Sequence, residues 1–310
     1  MWAYPNGTTH EVFMIVITAP TGNIGRRLLP LLLESAPARG EELRVIVRDP
    51  ARLAAPVRER VEVVTGSHGD PAVVDRAFDG ADAVFWLVPP DSSRTPDDAY
   101  RGFTRPAAHA LVAHGVGHVV GVSALGRGTP VAARAGLVTA SLAVDDLIAE
   151  TGVAHRALAS PSFFENLLEE ADSIREHGCF TDVLDADRKS PLVAVADIAS
   201  VAAGLLLDRS WTGTGSVPVL GPRDLSPNDL ARIMTERLGR PVRYERHTLD
   251  DLRSTLVGYG LDKDFVDGVV DMKRAKDDGL DAGVTRTPDT ATPTTFEDWV
   301  ARTLGPVVLS

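Results

Sequence analysis

Residues 12–25 constrain the fold more than any other stretch of the chain. Val12-Phe-Met-Ile-Val-Ile-Thr18 is a continuous apolar, largely β-branched run, the pattern of a strand buried on both faces of a parallel sheet. It passes directly into Ala19-Pro-Thr-Gly-Asn-Ile-Gly25, and a helical segment follows at Arg26–Ser35, with Pro30 expected to kink it. A helix N-terminus placed there turns free backbone N–H groups and the positive end of its dipole toward the loop, so a pyrophosphate fits. Gly22 would let the backbone approach the phosphates, and Gly25 would let helix and strand pack closely. A ligand-free strand–helix turn could use the same glycines; the β–α alternation that follows favours a dinucleotide.

That alternation continues with strands expected at Leu43–Val47, Val61–Thr65, Ala83–Val88, Val119–Val122 and Ala154–Ala159. Helices are expected at Pro71–Phe78 (capped by Asp70), Tyr100–His114 and Leu137–Glu150. The pattern predicts an α/β fold, a doubly wound parallel Rossmann-type sheet, over residues 11–160, with 1–10 as an N-terminal extension. Residues 161–310 read as a smaller α+β substrate-binding domain, and 192–222 as a segment returning to pack on the sheet through an Asp197-capped helix ending at Leu207. Ser226, Pro227 and Asp229 open another helix that Gly239 should stop; a short strand at Val242–Arg246, a loop at 282–294 and a last helix at Phe296–Leu304 complete the chain.

Composition narrows the function. A net charge of −11 with only four lysines argues against nucleic-acid binding, which needs Lys and Arg against phosphate. No apolar run reaches membrane-spanning length, and the first residues lack the features of a signal peptide. The single cysteine, Cys179, excludes an intrachain disulfide and fits a reducing, cytoplasmic setting; it reads as a small buried hydrophobe. The expected partner is a small-molecule substrate, with the protein a monomer or homodimer.

Several polar residues bear on chemistry. Arg48 follows the second strand, where a cation suits the 2′-phosphate of NADP and an acid, such as the next residue Asp49, suits the ribose of NAD. A surface Arg paired to a carboxylate is the alternative. His68, at the end of the third strand, could touch adenine or be a solvated loop residue. Ser123, past the fifth strand, could hydrogen-bond a substrate carbonyl or simply form a turn. His155 reads as structural, Trp86 as core and Asp145-Asp146 as a solvated helix face. No metal-ligand spacing is present.

Ile17–Gly25, Val-Arg-Asp-Pro at 47–50, Gly80–Pro90, Ser162-Phe-Phe-Glu-Asn166 and the closing Thr-Thr-Phe-Glu-Asp-Trp-Val300 together resemble the NmrA-like atypical short-chain dehydrogenases/reductases, in the NAD(P)H quinone oxidoreductase-like branch. The resemblance implies NADP(H) held by Thr18, Ala19, Thr21, Gly22, Asn23, Ile24 and Arg48, with further contacts from Ser67, His68, Leu87, Val88, Pro89 and Ser123. It also places substrate against Pro90, Phe163, Phe164 and Asn166, where either Phe ring could instead be core, with Ser123 as the catalytic hydroxyl.

The chain departs from the family in three places. Ala19 replaces the first loop glycine, Ala159-Ser160 replaces an Arg-Pro pair, and the chain is read as lacking the Tyr-x-x-x-Lys pair that protonates ordinary ketones in classical members, Ser141 standing near the expected Lys. These features point to an NADPH-dependent reductase of a conjugated acceptor such as a quinone or enone. A cofactor-sensing regulator without turnover, or a non-redox cyclase, dehydratase or isomerase on the same scaffold, would also do without that pair.

Overall fold

A computed structural model describes residues 13–310; the expected extension at 1–10 lies outside them. The β-branched run forms strand β1 (Phe13–Thr18), and the chain continues through β2 (Glu41–Val47), β3 (Glu62–Thr65), β4 (Ala83–Trp86), β5 (His118–Ala124) and β6 (Ala154–Ser160). With the strand Thr214–Pro218 they make one parallel sheet in the order Thr214–Pro218, β6, β5, β4, β1, β2, β3. From β1 the chain steps outward through β2 and β3, then returns to the other side of β1 at β4. The crevice of a doubly wound sheet therefore opens between the carboxyl ends of β1 and β4.

Each face is closed by apolar side chains of odd or even register. Ile15, Ile17, Val45, Val47, Phe85 and Leu158 pack under the helices Gly25–Ser35 and Val195–Leu207. On the other face Val16, Ile46, Val84, Trp86 and Val119 meet the helices Pro71–Phe78, Phe103–Ala113 and Leu137–Ala149. A further core gathers Phe164, Phe180, Leu225, Met234, Phe296 and Trp299 from the second half of the chain.

The caps at Asp70 and Ser226 form as read: Asp70 accepts from Ala72 and Val73, Ser226 and Asp229 make a reciprocal capping box, and Gly239 ends that helix in a left-handed conformation. Other details differ. The first helix runs on through Pro30, and Arg26, whose carbonyl loses its usual partner, is exposed to water. The segment before Phe103 is a π-helical turn, Asp98–Gly102. Asp197 does not cap its helix; it lies in the first turn and accepts from the backbone N–H and hydroxyl of Thr294, at 3.0 and 2.7 Å. The seventh strand, Thr214–Pro218, carries no strand pattern because it is an exposed edge. Cys179 begins a short strand, Cys179–Asp182, paired in parallel with Arg243–Arg246. Among the described residues no helix is long and apolar enough to cross a membrane.

Candidate functional site

The loop from Ala19 to Gly25 is folded so tightly that its residue types are dictated by space. Gly22 N–H donates to the Ala19 carbonyl at 3.0 Å, turning the chain back on itself. A Cβ on Gly25 would overlap that same carbonyl oxygen and stand 2.8 Å from Pro20 Cα; one on Gly22 would lie 3.3 Å from the Ala19 oxygen. Thr21 and Gly22 are half-buried and Asn23 exposed, so the loop backbone is open at the sheet edge, whereas the Ile24 side chain is buried in the core and can contribute only backbone. This is a cradle for an anion at a helix N-terminus, and the pyrophosphate of a dinucleotide fits it.

Ala19 has φ +47°, the left-handed region that costs an L-residue about 1 kcal/mol and that glycine enters freely. An alanine thus holds here a backbone conformation that glycine adopts more readily. Ala19→Gly is therefore expected to raise stability by roughly 0.5–1 kcal/mol and leave NADPH affinity unchanged or improved. Thermal denaturation and calorimetry check this; a marked loss of affinity would make the Ala19 methyl group part of the present site.

Arg48, one step past β2, is exposed and has no ion-pair partner among the described residues, so its guanidinium is available to a ligand. His68 is neither a solvated loop residue nor a side chain open to adenine. It is buried edge-on against Trp86 and Phe103, with ring centroids 5.2 and 4.9 Å away, and its Nε2 bonds the Leu87 carbonyl at 2.9 Å. Burial, opposed by the Leu87 bond and assisted by the Arg48 charge, pushes its pKa down to about 4, so the ring is neutral and Nε2 donates.

The Thr18 hydroxyl is likewise engaged within the protein and not turned toward a cofactor. Fully buried, that hydroxyl donates to the Phe85 carbonyl at 2.9 Å and accepts from Leu87 N–H at 3.1 Å. His68 and Thr18 together hold the strand end at Leu87, from which Val88 (half-buried), Pro89 and Pro90 (both exposed) run along the crevice. The half-buried Ser67 accepts from Gly69 N–H at 3.3 Å.

On the far side of the crevice the expectation for Asp145 fails. Asp146 is exposed, but Asp145 is buried and accepts from the Ser123 hydroxyl at 2.6 Å, with Arg127 Nη2 3.6 Å from the same carboxylate oxygen. Ser123 is therefore not a free turn residue; it is tied to an acid. Burial pushes the Asp145 pKa up to about 6 against the opposing effects of Ser123 and Arg127. The sequence signal that could have found this acid is its place three residues before Ile148, on the helix stripe that covers β5.

The Tyr-x-x-x-Lys spacing read as lacking does occur in the chain, away from the sheet edge. Tyr259 and Lys263 have that spacing, but they lie across the break between the helices Leu249–Gly258 and Lys263–Asp277. Tyr259 is 76% exposed and Lys263 is paired with Asp267 at 3.1 Å, so neither can serve the sheet edge, and Leu137–Ala149 carries no Tyr or Lys.

Of the two expected substrate-wall rings, Phe164 is excluded. It is 2% exposed and packs on Phe296 and Trp299, at centroid distances of 5.1 and 5.8 Å. Glu165 is buried beside it and accepts from Val195 N–H and Trp299 Nε1, at 3.0 and 3.1 Å, which locks Phe164 inward. Phe163, half-buried, keeps contact with the sheet core, and Asn166 is exposed.

A family model described as NAD(P)H-binding matches residues 20–209, a span that includes Thr21–Gly25, Arg48 and the Ser123–Asp145 pair. The chain belongs to the NAD(P)H-binding family that this model describes. This family member is an NAD(P)H-dependent oxidoreductase. It is 32% identical over 249 residues to the (4-alkanoyl-5-oxo-2,5-dihydrofuran-3-yl)methyl phosphate reductase of Streptomyces griseus, covering 79% of this chain and 80% of that protein. It is 26% identical to quinone oxidoreductase 2 of Escherichia coli, over 87% and 89% of the two chains. The structure of the NADPH-dependent quinone oxidoreductase QOR2 of Escherichia coli complexed with NADPH superposes with a TM-score of 0.75 and 25% identity, covering 93% of this chain and 99% of that one.

Proposed function

We propose that this oxidoreductase uses NADPH to reduce a small conjugated acceptor, a quinone or an enone. The observation that carries the acceptor class is the helix Leu137–Ala149: it offers no Tyr–Lys pair to protonate an isolated ketone, which favours acceptors whose own conjugation spreads the developing charge. The names of two relatives agree. One is a quinone oxidoreductase; the other acts on a 2,5-dihydrofuran whose ring double bond is conjugated to an oxo group.

In this reading the Thr21–Gly25 backbone holds the pyrophosphate and Arg48 the 2′-phosphate. The strand end pinned by Thr18 and His68 sets the Leu87–Pro90 wall, and Phe163 and Pro90 flank the acceptor. When bound, the cofactor supplies a hydride; the protein's part is to orient the acceptor and exclude water. NADPH is expected to bind more tightly than NADH, and Arg48→Ala to weaken NADPH by about 10–100-fold, the loss of one or two charge-assisted bonds, while NADH changes little. Calorimetry with both cofactors decides this; equal wild-type affinities would remove Arg48 from the site. Oxidation of NADPH across a panel of quinones and enones tests the acceptor. Tight NADPH binding without turnover on any of them would mark a cofactor-sensing protein instead.

A further inference from the structure

We propose that Asp145 is the proton reservoir of the reaction, delivering its proton to the reduced acceptor through the Ser123 hydroxyl. The inference rests on the reductase reading above. Hydride addition to a quinone or enone leaves an oxygen anion that must collect one proton, and no Tyr or Lys stands on the helix that usually provides it.

The geometry supplies another route. Ser123 is at the carboxyl end of β5, on the β4–β6 side of the crevice, the half of a doubly wound sheet opposite the Arg48 end. Its Oγ lies 2.6 Å from Asp145 Oδ2, and both residues are buried.

Ser123, Arg127 and Asp146 act on this carboxyl, and the elements packed against its helix carry further titratable groups. Ser123 is on β5. Arg127, in the following loop, has Nη2 3.6 Å from Asp145 and Nη1 2.9 Å from Asp146 on the same helix. β6 contributes His155, on which the Arg127 charge also acts. The helix Lys263–Asp277, packed on the other side, contributes Lys276, already paired with Asp281 at 2.7 Å. A single 3.6 Å cation, shared with a second acid, does not outweigh burial, and the Asp145 pKa rises to about 6. The acid is therefore protonated in a substantial fraction of molecules just below neutrality.

With Asp145 protonated, its O–H donates to Ser123 Oγ and the Ser123 O–H is free to turn to the acceptor. The acceptor oxygen takes the Ser123 proton while Ser123 takes the Asp145 proton: one O–H bond forms on the product and one is lost at the carboxyl group. The electron pair has already arrived with the hydride from NADPH. The Asp145 carboxylate left behind faces Arg127 and regains a proton from solvent. Asp145 acts through Ser123 and is a positioning and proton-storing residue; Ser123 is the group that touches substrate.

Infrared titration of the cofactor-free protein labelled with ¹³C-aspartate reads the acid directly. A protonated-carboxyl band disappearing with a midpoint near pH 6, and absent from Asp145→Asn, is expected; an Asp145 already ionised at pH 5 overturns the proposal. In turnover, Asp145→Asn keeps the side-chain shape and is expected to lower kcat about 100-fold, abolish the alkaline fall of kcat near pH 6 and leave the KM for NADPH within about twofold. Ser123→Ala should lose the same limb, and the double variant should be no slower than the slower single one. Ser123→Ala by itself serves as the test if Asp145→Asn does not fold. Acceptor reduction that keeps its wild-type pH profile in these variants refutes the proton route alone, whereas a wild-type protein that binds NADPH and reduces no acceptor refutes the reductase reading.

Discussion

Gly25→Ala is expected to abolish measurable NADPH binding and to lower the melting temperature. The added Cβ would overlap the Ala19 carbonyl oxygen and press on Pro20 Cα at 2.8 Å, both backbone atoms that cannot rotate away. The clash can be relieved only by opening the turn closed by the Gly22 N–H bond to Ala19. Overpacking of this kind costs about 1–3 kcal/mol of stability. Opening the turn also displaces the N–H groups that would face the pyrophosphate, so an affinity loss above about 100-fold, or roughly 3 kcal/mol, is expected in calorimetry. Gly22→Ala provides the graded control, because its Cβ would meet the same oxygen at 3.3 Å and small shifts accommodate it. A Gly25→Ala protein that binds NADPH like wild type would show that the cofactor does not use this cradle.

The second large effect is acid sensitivity. His68 and His155 are both buried and both pushed down to about 4, by desolvation first and, for His155, by the charges of Arg156 and Arg127 as well. Between pH 6.5 and 4 the unfolded chain takes up two protons that the native state refuses, so these groups remove stability as pH falls. Asp145 has the opposite sign: raised to about 6, it takes up its proton in the native state before the unfolded chain does, and adds stability as pH falls below 6.

At about 1.4 kcal/mol per proton per pH unit, these three groups leave a net loss on the order of 2–3 kcal/mol between pH 7 and pH 5. Denaturant unfolding at the two pH values checks it. His155, whose Nε2 has no hydrogen-bond partner beside Gly121, is the cleaner site to change. His155→Leu should reduce that loss to below about 1 kcal/mol, whereas Asp145→Asn should increase it to roughly 4 kcal/mol. Equal pH dependence in wild type and His155→Leu would mean that His155 takes up its proton alike in the folded and unfolded states.

The apolar run of β1, the glycines after it and the alternation of strand and helix are local properties, and they were enough to determine six of the seven strands and the tight loop at the sheet edge; the edge strand Thr214–Pro218 was not among them. Capping by Asp70 and Ser226 is local too, since each side chain bonds a backbone two or three residues away.

What only the tertiary structure decided are choices between side chains that look alike in sequence. Asp145 and Asp146 are adjacent acids on one helix; a 100° step around its axis sends one under β5 to Ser123 and the other to solvent. Phe163 and Phe164 are adjacent rings, and the bonds that Glu165 accepts from Val195 and Trp299 turn the second into a core whose aromatic members Phe296 and Trp299 lie more than a hundred positions away. His68 reads as a ligand contact from its place at a strand end, and Thr18 from the family resemblance. Burial beside Trp86 and bonding to the Phe85–Leu87 backbone instead make them the fixtures of the wall they were expected to line. Backbone pattern follows from neighbours along the chain; burial, and with it the charge state of an acid or a histidine, follows from what packs across it in space.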